Sequence, residues 1–113
     1  AKYFRDSDKG LSLGPGGFIT CLEEATGVNV EVAGKPSRSF FEAALSDLGV
    51  DAQHAVMIGD DVAQDIGGAL NAGIGLCILV RTGKFIAGDE EKVPDGGMVM
   101  DSIVDAVDFI CSQ

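Results

Sequence analysis

Apolar residues recur along this chain at two different spacings, which predict alternating strands and helices. The runs Ala55–Ile58 and Leu76–Val80 are continuously apolar. Such runs favour strands that are covered on both faces, as in a parallel sheet flanked by helices. Val28, Val30 and Val32 instead alternate with their neighbours, and this alternation predicts a further strand.

Helical spacing predicts four helices, which lie before, between and after these strands. Their apolar positions are Phe18, Ile19, Leu22 and Ala25; Phe40, Phe41, Ala44, Leu45 and Leu48; Val62, Ile66, Ala69 and Leu70; and Ile103, Ala106, Val107 and Ile110. Gly27, Gly49 and Gly73 follow the first three sets where helices commonly end. Ser102 and Asp105 resemble a capping box at the start of the fourth.

The order of these elements predicts an α/β fold with a parallel sheet and right-handed crossovers. Short strands are also predicted at residues 11–13 and 98–100, with a polar turn over residues 5–10. The length of 113 residues and the hydrophobic fraction of 46% suit one globular domain with a modest core.

Charge and cysteine content exclude several classes of partner. With 18 acidic against 8 basic residues, the net charge of −10 repels nucleic acid and anionic membranes. No apolar run approaches the length of a membrane span. The three cysteines are widely spaced among apolar neighbours, which is typical of free thiols in a reducing compartment. We therefore expect a cytoplasmic protein that binds neither nucleic acid nor membranes.

Three carboxylates follow the apolar run that ends at Gly59. Asp60 and Asp61 come where the strand should end and a helix begin, a place where open α/β folds bind ligands. Asp61 and Asp65 lie four residues apart, so on an exposed helix they would repel by roughly 0.2–0.5 kcal/mol. Bound Mg²⁺ would remove that repulsion. Aspartates also cap helices, so on this stretch alone both interpretations stand.

Candidate cations occur in the loops that follow two other predicted strands. Lys35 follows the strand at residues 28–33, while Arg81 and Lys84 follow the one at residues 76–80. A lysine near clustered carboxylates suits phosphoryl chemistry, because it neutralises phosphate oxygens while a metal bridges phosphate and protein. A solvated loop lysine is the alternative for Lys35. Arg81 and Lys84 would either touch an anionic ligand or balance the acidic loop at residues 86–96.

Taken together, these motifs resemble a known family. Lys35 in Gly-Lys-Pro, followed by Gly59, Asp60, Asp61 and Asp65, is similar to the third and fourth motifs of the haloacid dehalogenase-like phosphatases. Five further segments resemble sequences of the subclass with a large α/β cap. They are Leu13-Gly14-Pro15-Gly16, Phe40–Leu45, Val56–Asp61, Gly67-Gly68-Ala69 and Val80–Lys84. The resemblance extends from about Tyr3 to the end of the chain.

The resemblance implies a Rossmann-like three-layer core, of which this chain would be the carboxyl-terminal part, with residues 1–26 as the end of the cap and 27–113 as core. It implies a Mg²⁺-dependent phosphatase that works through an aspartyl-phosphate. Asp60 would be a direct Mg²⁺ ligand. Asp61 would belong to the metal site as well. Asp61 and the catalytic residue Asp65 would orient metal-bound water or the loop. Lys35 would hold the phosphoryl group and the nucleophile.

One departure from the family pattern limits what this chain would do alone. The family's nucleophile lies in an amino-terminal Asp-x-Asp motif, and its second motif supplies a Ser or Thr; both should precede this chain. Asp6-Ser7-Asp8 imitates the first motif, but no buried strand of the usual kind precedes it, so we interpret it as a turn. The chain also opens without an initiator methionine. We therefore expect an inactive fragment whose sheet has an exposed edge prone to association.

Two other functional classes compete with the phosphatase. A truncated or degenerate relative would act as a protein-binding module through its sheet edge and acidic surface. A receiver-like signalling domain also gathers aspartates and a lysine around Mg²⁺, but there the lysine follows the acids, whereas Lys35 precedes them. The expected substrates are phosphorylated small molecules or phosphorylated side chains, and a homodimer is a possible assembly.

Overall fold

The computed structural model describes residues 3–6, with residues 5 and 6 by backbone alone, and residues 10–113. The chain forms two compact units, Ala1–Val32 and Ala33–Gln113. The assignment of residues 1–26 to a cap and 27–113 to a core stays a prediction. None of the helices in the described residues is long and apolar enough to cross a membrane.

The first unit is a hairpin followed by a helix. Strands β1 (Tyr3–Asp6) and β2 (Gly10–Leu13) pair antiparallel, and helix α1 spans Pro15–Thr26. The short strand and the helix were both predicted, and Gly27 ends the helix at a φ of 67°. Arg5, Asp6 and Gly10, which were predicted to lie in a polar turn, belong to the paired strands instead, since Arg5 pairs with Leu11 and Asp6 with Gly10. Ser7 and Asp8 of the Asp6-Ser7-Asp8 motif lie outside the described residues.

The prediction of a strand at residues 28–33 is wrong, because this segment has no regular secondary structure. Val28, Val30 and Val32 are 64%, 44% and 55% exposed. The N–H of Val30 donates to the Glu23 side chain at 2.9 Å rather than to a neighbouring strand. Alternation marks a segment able to pair, but a strand also requires a partner for its backbone groups.

The second unit contains a parallel sheet with helices on both faces. Its elements are α2 (Arg38–Leu48), a 3₁₀ turn (Ala52–His54), β3 (Val56–Gly59), a π-helical turn (Val62–Gly67), α3 (Gly68–Asn71), β4 (Leu76–Val80), a 3₁₀ turn (Asp89–Lys92), β5 (Gly97–Met100) and α4 (Ile103–Cys111). The strand order is β3-β4-β5, and both pairs are parallel. The predicted α/β class and parallel sheet are confirmed.

The central position of β4 in the sheet explains why the sequence of this strand is continuously apolar. Cys77 and Leu79 pack into a cluster with Phe41 of α2 and with Ile66 and Ala69. The alternate side chains of β4 pack on the opposite face, against Ala106 of α4. Because successive side chains of a strand point to opposite faces, a strand between two helical layers must be apolar at every position.

Helix α2 buries less than its sequence predicts. Phe41 is 3% exposed, whereas Phe40 and Leu48 are 42% and 69% exposed. Phe41 and Leu45 lie one turn apart and reach the core together. The Phe40 ring is perpendicular to the Phe41 ring, with 5.4 Å between their centroids. One face of a helix covers a sheet, so adjacent phenylalanines cannot both enter the core.

The core location of Cys77 leads to a prediction about thiol reactivity. Its side chain is 0% exposed, and burial raises the pKa of the Cys77 thiol, which disfavours the reactive thiolate. Cys21 and Cys111 are exposed. We expect a disulfide reagent to label these two thiols rapidly in the folded chain, and Cys77 only after urea is added. Cys111→Ser should remove one rapid reaction; equal rates at all three thiols would contradict the buried position.

Candidate active site

Asp65 is the buried carboxylate at the centre of the site, with 3% of its surface exposed. Its Oδ2 accepts hydrogen bonds from the backbone N–H groups of Asp60 and Asp61, both at 3.1 Å. Its Oδ1 accepts a hydrogen bond from Nζ of Lys35 at 2.5 Å. A buried carboxylate is costly unless its oxygens are satisfied, and these donors satisfy both. Asp65 therefore ties Lys35 to the loop that follows β3.

A π-helical turn at Val62–Gly67 brings Asp65 beneath that loop. The carbonyl oxygen of Asp61 accepts from the N–H groups of both Asp65, at 3.0 Å, and Ile66, at 3.3 Å. The sequence predicted an ordinary α-helix here, because the apolar spacing alone does not reveal the wider turn. π-helical turns occur frequently at functional sites.

Gly59 permits the close packing of Asp65 against the end of β3. A Cβ atom at residue 59 would lie 2.4 Å from both Cβ and Oδ2 of Asp65. Carbon atoms in contact normally stay about 3.5–4.0 Å apart, so a larger residue would force Asp65 away from its donors. The glycine that marks the strand end in the sequence is thus a requirement of the site.

Asp60 and Asp61 have different hydrogen-bond partners. Asp61 caps the following turn, because its Oδ1 accepts from the N–H groups of Ala63 at 3.1 Å and Gln64 at 2.9 Å. Asp60 does not cap it; its Oδ2 accepts from the N–H of Lys84 at 2.9 Å. The capping interpretation therefore describes Asp61 but leaves the role of Asp60 open.

A cavity of about 250 Å³ opens beside these carboxylates. It is lined by Asp60, Asp61, Val62, Ala63, Lys84, Asp89 and Lys92. Lys84 thus lies near the acids, whereas Arg81 pairs with Asp101 at 2.7 Å. A cavity with both carboxylates and ammonium groups in its wall can accept a cation and an anion together.

Asp89 and Lys92 belong to this wall, and sequence reasoning missed them. Nζ of Lys92 donates to Asp89 Oδ1 at 2.8 Å, and the N–H of Ile86 donates to Oδ2 at 3.0 Å. The Lys92 hydrogen bond, and then the Ile86 one, hold the pKa of the Asp89 carboxyl below its ordinary value. The only signal was an Asp and a Lys three residues apart in an acidic segment.

The oxygen atoms of Asp60 and Asp61 fit a Mg²⁺ ion whose other ligands come from a substrate phosphate and water. Among residues 3–6 and 10–113, no group of three or more His, Cys, Asp or Glu side chains converges on a metal position. Asp60 Oδ1 and Asp61 Oδ2 accept no hydrogen bond from this part of the chain. Mg²⁺ is usually held by one or two carboxylates, with phosphate oxygens and water as its other ligands. These two oxygens match that protein contribution.

Comparison with known proteins identifies similar sequences. Residues 32–106 match the family model described as HAD-hydrolase-like, for haloacid dehalogenase-like hydrolases. Human haloacid dehalogenase-like hydrolase domain-containing protein 2 is 49% identical over 111 residues, which are 97% of this chain and 42% of the relative. Mouse phospholysine phosphohistidine inorganic pyrophosphate phosphatase is 45% identical over 111 residues, 96% of this chain and 40% of the relative.

Solved structures of phosphatases are also similar. The p-nitrophenyl phosphatase from Archaeoglobus fulgidus has a TM-score of 0.79 at 29% identity, over 96% of this chain and 43% of that one. A glycerol phosphate phosphatase from Mycobacterium tuberculosis in complex with magnesium has a TM-score of 0.71 at 28% identity, over 90% and 31%.

The chain spans about two-fifths of the length of these curated relatives, 42% and 40%. The family match covers most of the chain, and it includes Lys35, Asp60, Asp61 and Asp65. This chain therefore belongs to the haloacid dehalogenase-like hydrolases.

Proposed function

We propose that this chain is the carboxyl-terminal part of a Mg²⁺-dependent phosphatase whose nucleophilic aspartate lies outside these 113 residues. The observation that carries the proposal is the convergence of the Lys35 ammonium group and the backbone N–H groups of Asp60 and Asp61 on the buried carboxylate of Asp65. Phosphoryl transfer depends on fixed charges around the phosphate more than on covalent chemistry. Asp65 fixes one cation and the backbone of the loop that carries two further carboxylates, and this would supply such an arrangement.

Lys35 would bind the phosphoryl group. Its side chain is 38% exposed, although Nζ is anchored to Asp65, whose side chain is 4% exposed. The ammonium group is therefore held in place yet open on one side. There it would neutralise phosphate oxygens and hold the attacking carboxylate, which is the role that the family resemblance implies for this lysine.

Asp60 and Asp61 would hold Mg²⁺ through their available oxygens. When bound, the ion neutralises the phosphate oxygens and orients the phosphoryl group. The magnesium in the related glycerol phosphate phosphatase supports this part of the proposal. Asp65 would be a positioning residue rather than a reacting one, because its oxygens are occupied by protein donors.

The chemistry would take two displacements at phosphorus. The external aspartate attacks the phosphate and forms an aspartyl-phosphate, while the P–O or P–N bond to the leaving group breaks and that group takes up a proton. Water then attacks the aspartyl-phosphate and releases inorganic phosphate, which regenerates the carboxylate. The described residues would position the phosphate in both steps. Because the attacking aspartate would lie outside this chain, the chain alone should have little activity.

We propose a phosphorylated small molecule or a phosphorylated side chain as the substrate. Support comes from a relative whose name specifies phospholysine, phosphohistidine and inorganic pyrophosphate. Most of the cap is expected to lie outside this chain, so the choice among such substrates would depend on other parts of the protein.

One observation favours a second candidate function, a non-catalytic protein-binding module. Within the described residues, β3 pairs only with β4, so its other edge offers backbone groups to another strand. The same edge would pair with a further strand of a complete phosphatase sheet, and a homodimer through it also stays a prediction.

Restoring activity to a related enzyme would test the phosphatase proposal. The matched 111 residues of the mouse phospholysine phosphohistidine inorganic pyrophosphate phosphatase would be replaced by this chain to give a chimera. We expect the chimera to hydrolyse p-nitrophenyl phosphate in the presence of Mg²⁺. The parent without its matched segment, and this chain alone, should both be inactive, because each lacks part of the site.

Two outcomes would overturn parts of the proposal. A folded but inactive chimera, measured beside an active parent, would mean that this chain no longer supports catalysis, and would favour the binding module. Turnover by the isolated chain would place the nucleophile within it; Asp6→Asn and Asp8→Asn would then identify the attacking carboxylate.

A further inference from the structure

We infer that the Gly83–Lys84 peptide is a positioning element for Asp60, which fixes the orientation of its carboxylate and leaves Oδ1 as the oxygen available to a cation. The inference rests on the proposed function only in assigning a cation to Asp60. The contact itself joins two loops that are distant in sequence, since the Lys84 N–H donates to Asp60 Oδ2 across 24 residues at 2.9 Å.

Gly83 allows this contact by two independent features. Its φ is +63°, a left-handed conformation that L side chains rarely adopt. A Cβ atom at this residue would also lie 2.0 Å from Asp60 Oδ2, and thus overlap the oxygen that accepts the hydrogen bond. Any side chain at residue 83 would therefore displace the carboxylate or the loop.

The peptide is itself held in place at both ends of its loop. Before it, the N–H of Arg81 donates to the carbonyl oxygen of Met100 on β5 at 3.0 Å. After it, the N–H of Phe85 donates to the Thr82 carbonyl at 3.2 Å, and the Phe85 side chain packs on the core. Because the loop is anchored to the sheet and the core, it can impose an orientation on Asp60 rather than follow it.

Hydrogen bonds that orient a metal ligand typically change metal affinity by about 10–100-fold when they are lost. Here one oxygen of Asp60 is committed to the peptide, so rotation of the carboxylate would break the bond. We therefore expect the loop after β4 to affect the Mg²⁺ requirement of the enzyme through its hydrogen bond to Asp60.

Two glycine substitutions in the chimera separate positioning from simple loop strain. Gly83→Ala and Gly88→Ala both place alanine at a positive φ, +63° and +95°, but an added Cβ at Gly88 meets nothing within 4 Å. We expect Gly83→Ala to raise the Mg²⁺ concentration that gives half-maximal rate by about 10–100-fold. Gly88→Ala should leave this concentration close to that of the unsubstituted chimera. Equal Mg²⁺ requirements in the two variants would overturn the inference.

A measurement on the 113-residue chain without metal tests the same contact directly. Amide hydrogen exchange by NMR should show protection of the Lys84 N–H, loss of that protection in Asp60→Ala, and its retention in Asp61→Ala. An unprotected Lys84 amide in the unsubstituted chain would overturn the inference. This readout does not depend on turnover, whereas an inactive unsubstituted chimera would count against the proposed function instead.

Discussion

Replacing Asp65 with alanine is expected to lower the free energy of unfolding by about 2–6 kcal/mol, mainly through two backbone N–H groups that lose their acceptor. The substitution removes the acceptor of three hydrogen bonds. It leaves the N–H groups of Asp60 and Asp61 without their acceptor, at a cost of about 1–3 kcal/mol for each. Lys35 adds less to the loss, because its side chain is 38% exposed and its ammonium group regains water. Urea unfolding followed by circular dichroism would measure the change.

Two further variants serve as controls for that measurement. Asp61→Ala changes the same loop but removes only a helix cap, so its expected cost is about 0.5–2 kcal/mol. Asp65→Asn keeps the shape and one acceptor oxygen but places an amide NH₂ beside a donor, so it should fall between the two alanine variants. If Asp65→Ala cost no more than Asp61→Ala, the central role of the buried carboxylate would be wrong.

Replacing Asp60 with asparagine in the chimera is expected to lower kcat/KM for p-nitrophenyl phosphate by more than about 100-fold. Loss of a residue that merely orients a ligand already lowers metal affinity or activity by about 10–100-fold, and loss of the charged ligand itself should exceed that. The asparagine oxygen can still accept from the Lys84 N–H, so the fold of the loop should be kept. Raised Mg²⁺ concentrations should recover part of the rate.

Asp95→Asn is the matched control, because it removes the same charge from an exposed residue of the same acidic chain. It should leave both the rate and the Mg²⁺ requirement nearly unchanged. Similar losses in Asp60→Asn and Asp95→Asn would mean that net charge, rather than a ligand at residue 60, accounts for the effect.

Much of the second unit could be predicted from local patterns. The continuous apolar run of β4 predicted a strand covered on both faces, and Ile66 and Ala69 were predicted to face the core; both predictions are confirmed. These predictions succeeded because burial against neighbouring layers constrains each position of a strand or helix separately.

The predictions that failed concern partners rather than patterns. Residues 28–33 have the alternation of a strand, but Val30 donates to a side chain and not to a neighbouring strand. Phe40 has the spacing of a core residue, yet only Phe41 is buried. A sequence records what a segment can pair with or bury, whereas the tertiary structure decides whether a neighbour is present to receive it.

The same distinction applies to the site. By itself, the sequence determined that Asp60 and Asp61 follow a strand and that Asp65 lies one turn further on, since these relations depend only on local spacing. Only the tertiary structure decided that Asp65 is buried and accepts from Lys35, and that the Gly83–Lys84 peptide meets Asp60. The contact across 24 residues depends on how the parallel strands β3 and β4 align their ends, and the contact across 30 residues depends on where the loop before α2 lies. No local pattern encodes either arrangement.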